Sequence, residues 1–238
     1  VYDDQGWRTS YNSAFGDPFC FNCADFVVRL NIPEAYSMVS TGNVVETIAE
    51  DNGRHFITAA AENVRDFGMV VYHQYRSIEQ EAQGKTVSIY VPAQVDADVT
   101  PLMQETLDIL DFFSCTWGSY PYSNFKVVFV PMKGFHGMEY SGIIFLSKDL
   151  LTPGADQQHT RFILAHETAH QWWYGMVGND QVREPWLDEG LANWGAYKYL
   201  ITKGQVAADA KSVSAPTNLS RELNQMYSRN DYYHTAYT

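Results

Sequence analysis

Apolar and polar positions alternate with a period of two through the first third of the chain, then recur at helical spacing in its second half. In "ADFVVRLNIP" (24–33) the apolar residues Phe26, Val28, Leu30 and Ile32 fall on one side of an extended chain, and Pro33 ends the run. "YSMVSTGNVVETIAED" (36–51) reads as strand, turn at Thr41-Gly42-Asn43, and strand, and "RHFITAAAENV" (54–64) and "MVVYHQYRSI" (69–78) continue the pattern. Short strands with frequent turns predict a β-sandwich. The polar stretch "SIEQEAQGK" (77–85) is the linker candidate.

Beyond it the rhythm changes. "TVSIYVPA" (86–93), "NFKVVFVPM" (124–132) and "SGIIFLS" (141–147) read as strands. "TPLMQETLDILDFFSCTWG" (100–118) predicts an amphipathic helix capped by Thr100 and ended by Gly118. Asp156 caps a second predicted helix running to about Gly175, and a third starts near Pro185 and stops before Gly204. Strands followed by helices predict an α+β catalytic unit. The expected division is 1–80 and 81–238.

Composition narrows the function classes. The 238 residues are 45% hydrophobic and 15% aromatic, a globular balance. A net charge of −12 and the lack of any Lys/Arg run argue against a nucleic-acid partner. No apolar run reaches the roughly 18 residues of a membrane span. The opening "VYDDQGW" has neither the basic start nor the apolar core of a signal peptide. The compartment stays open, with an extracytoplasmic or cell-envelope setting expected over a cytoplasmic one. "CFNC" places Cys20 and Cys23 at metal or redox spacing, but a zinc ribbon needs a second pair and Cys115 stands alone. Both are read as structural, free or bridged.

The chemistry lies in "ILAHETAHQWWYG" (163–175). On a helix, His166 and His170 sit about 40° apart and one turn apart, so both imidazoles reach one ion. Glu167 points beside them, placed to act on a water. A catalytic zinc takes three protein ligands and keeps one position open. "REPWLDEGLANWGAY" supplies Glu189, with 18 residues between it and His170, in the first turn of the next helix. Asn193, four residues further on the same face, either orients a ligand or packs. His55, His73, His159 and His234 have no partner at ligand spacing and read as structural or surface residues.

With "HETAH" and "WLDEG" at that spacing, the chain resembles the gluzincin zinc aminopeptidases, which include aminopeptidase N and leukotriene hydrolase. The thermolysin-type gap is one residue longer and lacks the Trp-Leu-x-Glu-Gly context. "HGMEY" (136–140) is similar to that family's Gly-x-Met-Glu-Asn motif, with His136 and Tyr140 in place of Gly and Asn. The resemblance implies that Gly137, Met138 and Glu139 contact substrate, with Glu139 on the free amino terminus, and that His136 is a scaffold or pocket-wall residue near the site. It also implies a transition-state tyrosine: Tyr237 in "YYHTAYT", with Tyr232 and Tyr233 as alternatives. "FGDPFCFNCADFVVRLNIP" and "ENVRDFGMVV" resemble the end of the family's saddle-like sandwich domain. The implied fold is a thermolysin-like catalytic domain preceded by part of a β-sandwich, the chain covering only part of a usual member. The implied activity is zinc-dependent removal of N-terminal residues from peptides with a free amino terminus. Alternatives are a zinc endopeptidase with the same site, or an inactive peptide-binding fragment.

Overall fold

The computed structural model of the chain describes residues 2–4, 6–7, 16–17, 19–207, 232, 236 and 237. Tyr233 and His234 lie outside the described residues. The fold is mixed α+β. A minimal antiparallel pair, β1 (Tyr2–Asp3) and β2 (Gly6–Trp7), precedes β3 (Ala24–Pro33), β4 (Ser37–Ser40), β5 (Asn43–Ala49), β6 (Arg54–Val64) and β7 (Met69–Tyr72). β3, β6 and β5 form an antiparallel three-stranded sheet in that order, and β4 pairs with β7 as a separate ribbon.

Strand, turn and strand over 36–51 are therefore present, but β4 and β5 join different sheets. Gly42 makes the crossing possible. Its φ is 70°, and a Cβ there would lie 2.0 Å from the carbonyl oxygen of Ala60. Consecutive ribbon residues then face opposite ways. Met38 packs with Ile57 and Ala59 of the three-stranded sheet, while Val39 packs with Val128 and Ile143 behind it.

Those last two residues belong to a five-stranded sheet. Its strands are β8 (Tyr75–Ala82), β9 (Lys85–Pro92), β10 (Asn124–Val130), β11 (Gly137–Met138) and β12 (Ile143–Ser147), ordered β11-β12-β10-β9-β8. β10 runs parallel to β9 and β12; β8 and β11 are antiparallel edges. The stretch 77–85, expected as a linker, is instead the β8–β9 hairpin, closed by the pair Ala82–Lys85 around Gln83 (φ 52°) and Gly84 (φ 73°). Its polarity has a simple cause. Edge strands carry charge to avoid pairing with other chains, and Glu79, Gln80 and Glu81 lie on such an edge.

The sheet's other face buries Val87, Ile89, Phe125, Val127, Phe129 and Ile144 against three helices. Each such side chain contributes about 1.5–3 kcal/mol of burial. The helices are α1 (Thr100–Trp117), α2 (Gln157–Ala169) and α3 (Trp186–Thr202); a 3-10 turn, Lys148–Leu151, precedes α2. Asp156 caps α2 by accepting the amides of Gln158 and His159. Thr100 does not cap α1: it is the first helical residue, and its amide is taken by Asp98 Oδ1 at 2.9 Å. Among the described residues no helix is long and apolar enough to cross a membrane.

α2 ends at Ala169, before the expected Gly175. The amides of Gly175, Met176 and Val177 reach back five residues, to the carbonyls of His170, Gln171 and Trp172. Tyr174 takes a φ of 123°. Arg65, just past β6, holds this turn by donating Nε to the Tyr174 carbonyl at 2.6 Å. A tertiary partner therefore unwinds a segment whose local pattern is helical.

Candidate metal centre

Small side chains let α2 and α3 approach. Ala165 and Ala169 on α2, and Ala192 and Ala196 on α3, are all fully buried in the common core. The tail of α2 is anchored to α1 as well, because Trp172 donates Nε1 to the Gly118 carbonyl at 2.8 Å. The result brings His166, His170 and Glu189 together. His166 Nε2 lies 3.1 Å from Glu189 Oε2, His170 Nε2 lies 3.5 Å from the same oxygen, and the two imidazole nitrogens are 3.2 Å apart. A tetrahedral ion with bonds of about 2.0–2.1 Å needs donor separations of about 3.3 Å. The three atoms thus outline one face of such a site, and the donor set of two imidazoles and a carboxylate suits zinc.

Further details support a cation here. His170 Nδ1 donates to the Trp173 carbonyl at 3.0 Å, which fixes the ring with Nε2 turned toward His166 and Glu189. Glu167 Oε2 is buried without a hydrogen-bond partner among the described residues. Glu139, Glu167, Asp188 and Glu189, all buried from solvent, and the half-buried Asp17 crowd around two buried imidazoles. Burial raises Glu167 to about 8, Asp17 to about 7 and Asp188 to about 6. It pushes Glu139 up as well. Burial also lowers His166. Burial opposes a charged His170, but Glu139, Glu189 and Glu167 outweigh it and hold that imidazole above its usual range. Burial opposes Glu189 ionisation too, yet hydrogen bonding to both histidines keeps this carboxyl low. A dication and an ammonium are the charges that such an acid-rich pocket lacks.

The cavity is about 330 Å³ and is walled by the loop at Lys133–Phe135, by Gly137, Met138 and Glu139 around β11, and by Tyr232 and Tyr237. Glu139 and Glu167 each offer an oxygen within 4.8 Å of a His170 nitrogen and of each other. Tyr237 donates its hydroxyl to Glu189 Oε1 at 2.7 Å, and Tyr232 reaches the same oxygen at 3.3 Å. Asn193 Nδ2 donates to the Tyr237 carbonyl at 2.9 Å and lies beside His166. His166, Glu167, His170, Glu189, Gly137, Met138, Glu139, Tyr232 and Tyr237 therefore meet at one cavity, whereas His136, expected near its wall, does not line it.

Other groups escaped the sequence reading. Asp17 lines the cavity and raises the carboxyl of Glu139 by its charge. Gln181 Nε2 bridges Asp188 Oδ2 at 2.5 Å and Glu139 Oε1 at 3.2 Å, joining α3 to β11. Asp188 stood within "WLDEG", so its neighbour's role was the available signal; Asp17 and Gln181 carry no spacing that marks them. Cys20, Cys23 and Cys115 are free thiols, and none lines the cavity. His159, read as unpartnered, meets His136 at 2.9 Å.

Comparison with known proteins agrees with the geometry. A model of the peptidase family M1 domain matches residues 102–236, more than half of the chain. The glutamyl aminopeptidase of Rattus norvegicus is 26% identical over 181 residues, 72% of this chain and 19% of the relative. Aminopeptidase M1-B of Oryza sativa subsp. japonica is 30% identical over 100 residues, 39% of this chain and 11% of the relative. Aminopeptidase N of Acetobacter pasteurianus is 24% identical over 181 residues, 72% of this chain and 51% of the relative. The chain thus spans about a fifth of the rat relative's length.

Proposed function

As the chain belongs to peptidase family M1, we propose that it carries the metal centre of a zinc aminopeptidase that removes N-terminal residues from peptides. Support comes above all from the convergence of His166, His170 and Glu189 within 3.1–3.5 Å of one another, beside two further buried carboxyls. Relatives named as aminopeptidases agree with peptides as substrates.

His166 Nε2, His170 Nε2 and a Glu189 oxygen would hold the ion. Zinc at that point supplies Lewis acidity toward water and the scissile carbonyl. Glu167, which lines the cavity beside both imidazoles, would accept a proton from the attacking water and deliver it to the leaving amine. Tyr237, whose hydroxyl already points at Glu189, donates a hydrogen bond to the oxygen that gains charge. Glu139 and Asp17 hold the substrate ammonium at the closed end, which counts cleavage from the terminus. Asn193 steadies Tyr237 through its carbonyl. β11 is a sheet edge whose free backbone groups can align an extended peptide.

The test is cleavage of amino-acid p-nitroanilides by zinc-loaded protein, with N-acetylated peptides as controls. Turnover is expected for free amines and not for acetylated ends. Glu167→Gln should keep the metal and lose about 100- to 10,000-fold in kcat. Cleavage of acetylated peptides would replace the reading with an endopeptidase, and metal binding without turnover would replace it with a peptide-binding role.

A further inference from the structure

A second pair of histidines lies outside the centre just described. His136 Nδ1 and His159 Nε2 are 2.9 Å apart, with their rings at 76°. They come from separately anchored elements. His136 directly precedes β11 and accepts the Ser147 amide on its carbonyl at 2.9 Å. His159 sits in the first turn of α2, where Asp156 Oδ1 holds its amide. His159 is seven residues before His166, so the pair lies two helical turns, about 10 Å, from the first site on the same side of α2.

We propose that His136 and His159 form a second, exchangeable site for a transition-metal ion of the zinc, copper or nickel class. In the structure one ring N–H donates to the other ring's lone pair. An ion replaces that shared proton, takes a lone pair from each imidazole and leaves its outward positions to water. Widening the nitrogen separation from 2.9 Å to the tetrahedral edge of about 3.3 Å is a small side-chain motion. His136 is exposed and His159 half-buried, so solvent and ion reach both rings. With only two protein ligands the site is weaker than a three-ligand centre and open to exchange. An ion there ties α2 to the loop whose residues Lys133, Gly134 and Phe135 wall the catalytic cavity.

The inference is independent of the proposed peptidase activity, and its test reads binding alone. Zinc-loaded protein is dialysed against rising free zinc, and bound metal is counted by elemental analysis. Wild type should take up a second equivalent, half-saturated at micromolar free zinc. His159→Gln and His136→Asn should each fall from two equivalents to one, keeping the first ion and an unchanged melting temperature. A variant with Cys20 and Cys23 replaced by serine should keep the second equivalent. One equivalent in wild type up to sub-millimolar zinc would overturn the proposal. So would a second equivalent that survives both histidine replacements or disappears with the cysteines.

Discussion

Asp66 Oδ2 accepts the Tyr174 hydroxyl at 2.8 Å, and Oδ1 of the same carboxylate accepts the Ser141 amide at 2.8 Å. One buried side chain thus joins three segments: the exit of β6, the turn that follows His170, and the residue two past Glu139. Replacing it should loosen the site from behind.

Asp66→Ala leaves a buried hydroxyl and a buried amide without partners. Unfolding free energy should fall by about 2–4 kcal/mol, and Tyr174→Phe, which removes only the donor, should cost about 1 kcal/mol. Urea denaturation of the two variants checks the ordering. Equal losses would mean that the Ser141 contact contributes nothing.

Metal should stabilise the fold, because its three ligands come from α2, from the residue that directly follows α2, and from α3. Chelation should lower the melting midpoint and zinc should restore it, with about 2.7 kcal/mol gained at a hundredfold excess over Kd. Glu189→Ala should make the midpoint insensitive to both. Calorimetry with and without chelator reads this directly; a chelator-sensitive Glu189→Ala protein would remove Glu189 from the ligand set.

Glu139→Gln removes a charge that faces the substrate's amino group while keeping side-chain size. kcat/KM for free-amine substrates should fall about 10- to 100-fold, mostly through KM. Asp17→Asn should act in the same direction. Steady-state kinetics on one p-nitroanilide series distinguishes a KM effect from a kcat effect; unchanged kinetics in both variants would place the ammonium elsewhere.

Lys126 donates to the carbonyl oxygens of Ser40 and Gly42, and burial lowers its ammonium from 10.5 to about 8. Above pH 10.5 the group is neutral in both states and contributes no difference. As pH falls from about 10.5 to about 8, the unfolded chain takes up its proton first, so the folded state loses relative stability. Below about 8 the penalty is constant. The unfolding free energy of wild type minus that of Lys126→Met should therefore rise by about 3 kcal/mol at most between pH 8 and 10.5. Denaturation curves at several pH values measure the slope, and a flat difference would mean that the ammonium stays charged in the fold.

The amino-acid sequence by itself determined the strand β6, the Asp156 cap, the start of α3 and the dyad His166/His170 with Glu167. Each depends on a few neighbouring residues. Period-two alternation, a capping side chain and i, i+4 spacing follow from backbone geometry that any short segment carries with it. Glu189 was readable too, because its spacing from the histidines and its "WLDEG" context mark it in the sequence. Tertiary structure decided the rest. The polar run at 77–85 became an edge hairpin once β9 paired with it. β4 and β5 parted into different sheets where Gly42 passes close to Ala60. α2 stopped early because Arg65, 109 positions away, took the Tyr174 carbonyl. Asp17, Gln181 and the His136–His159 pair acquired their meaning in the same way. Their partners are distant in the chain, and only the packing of whole layers sets such distances, so no local period or spacing encodes them.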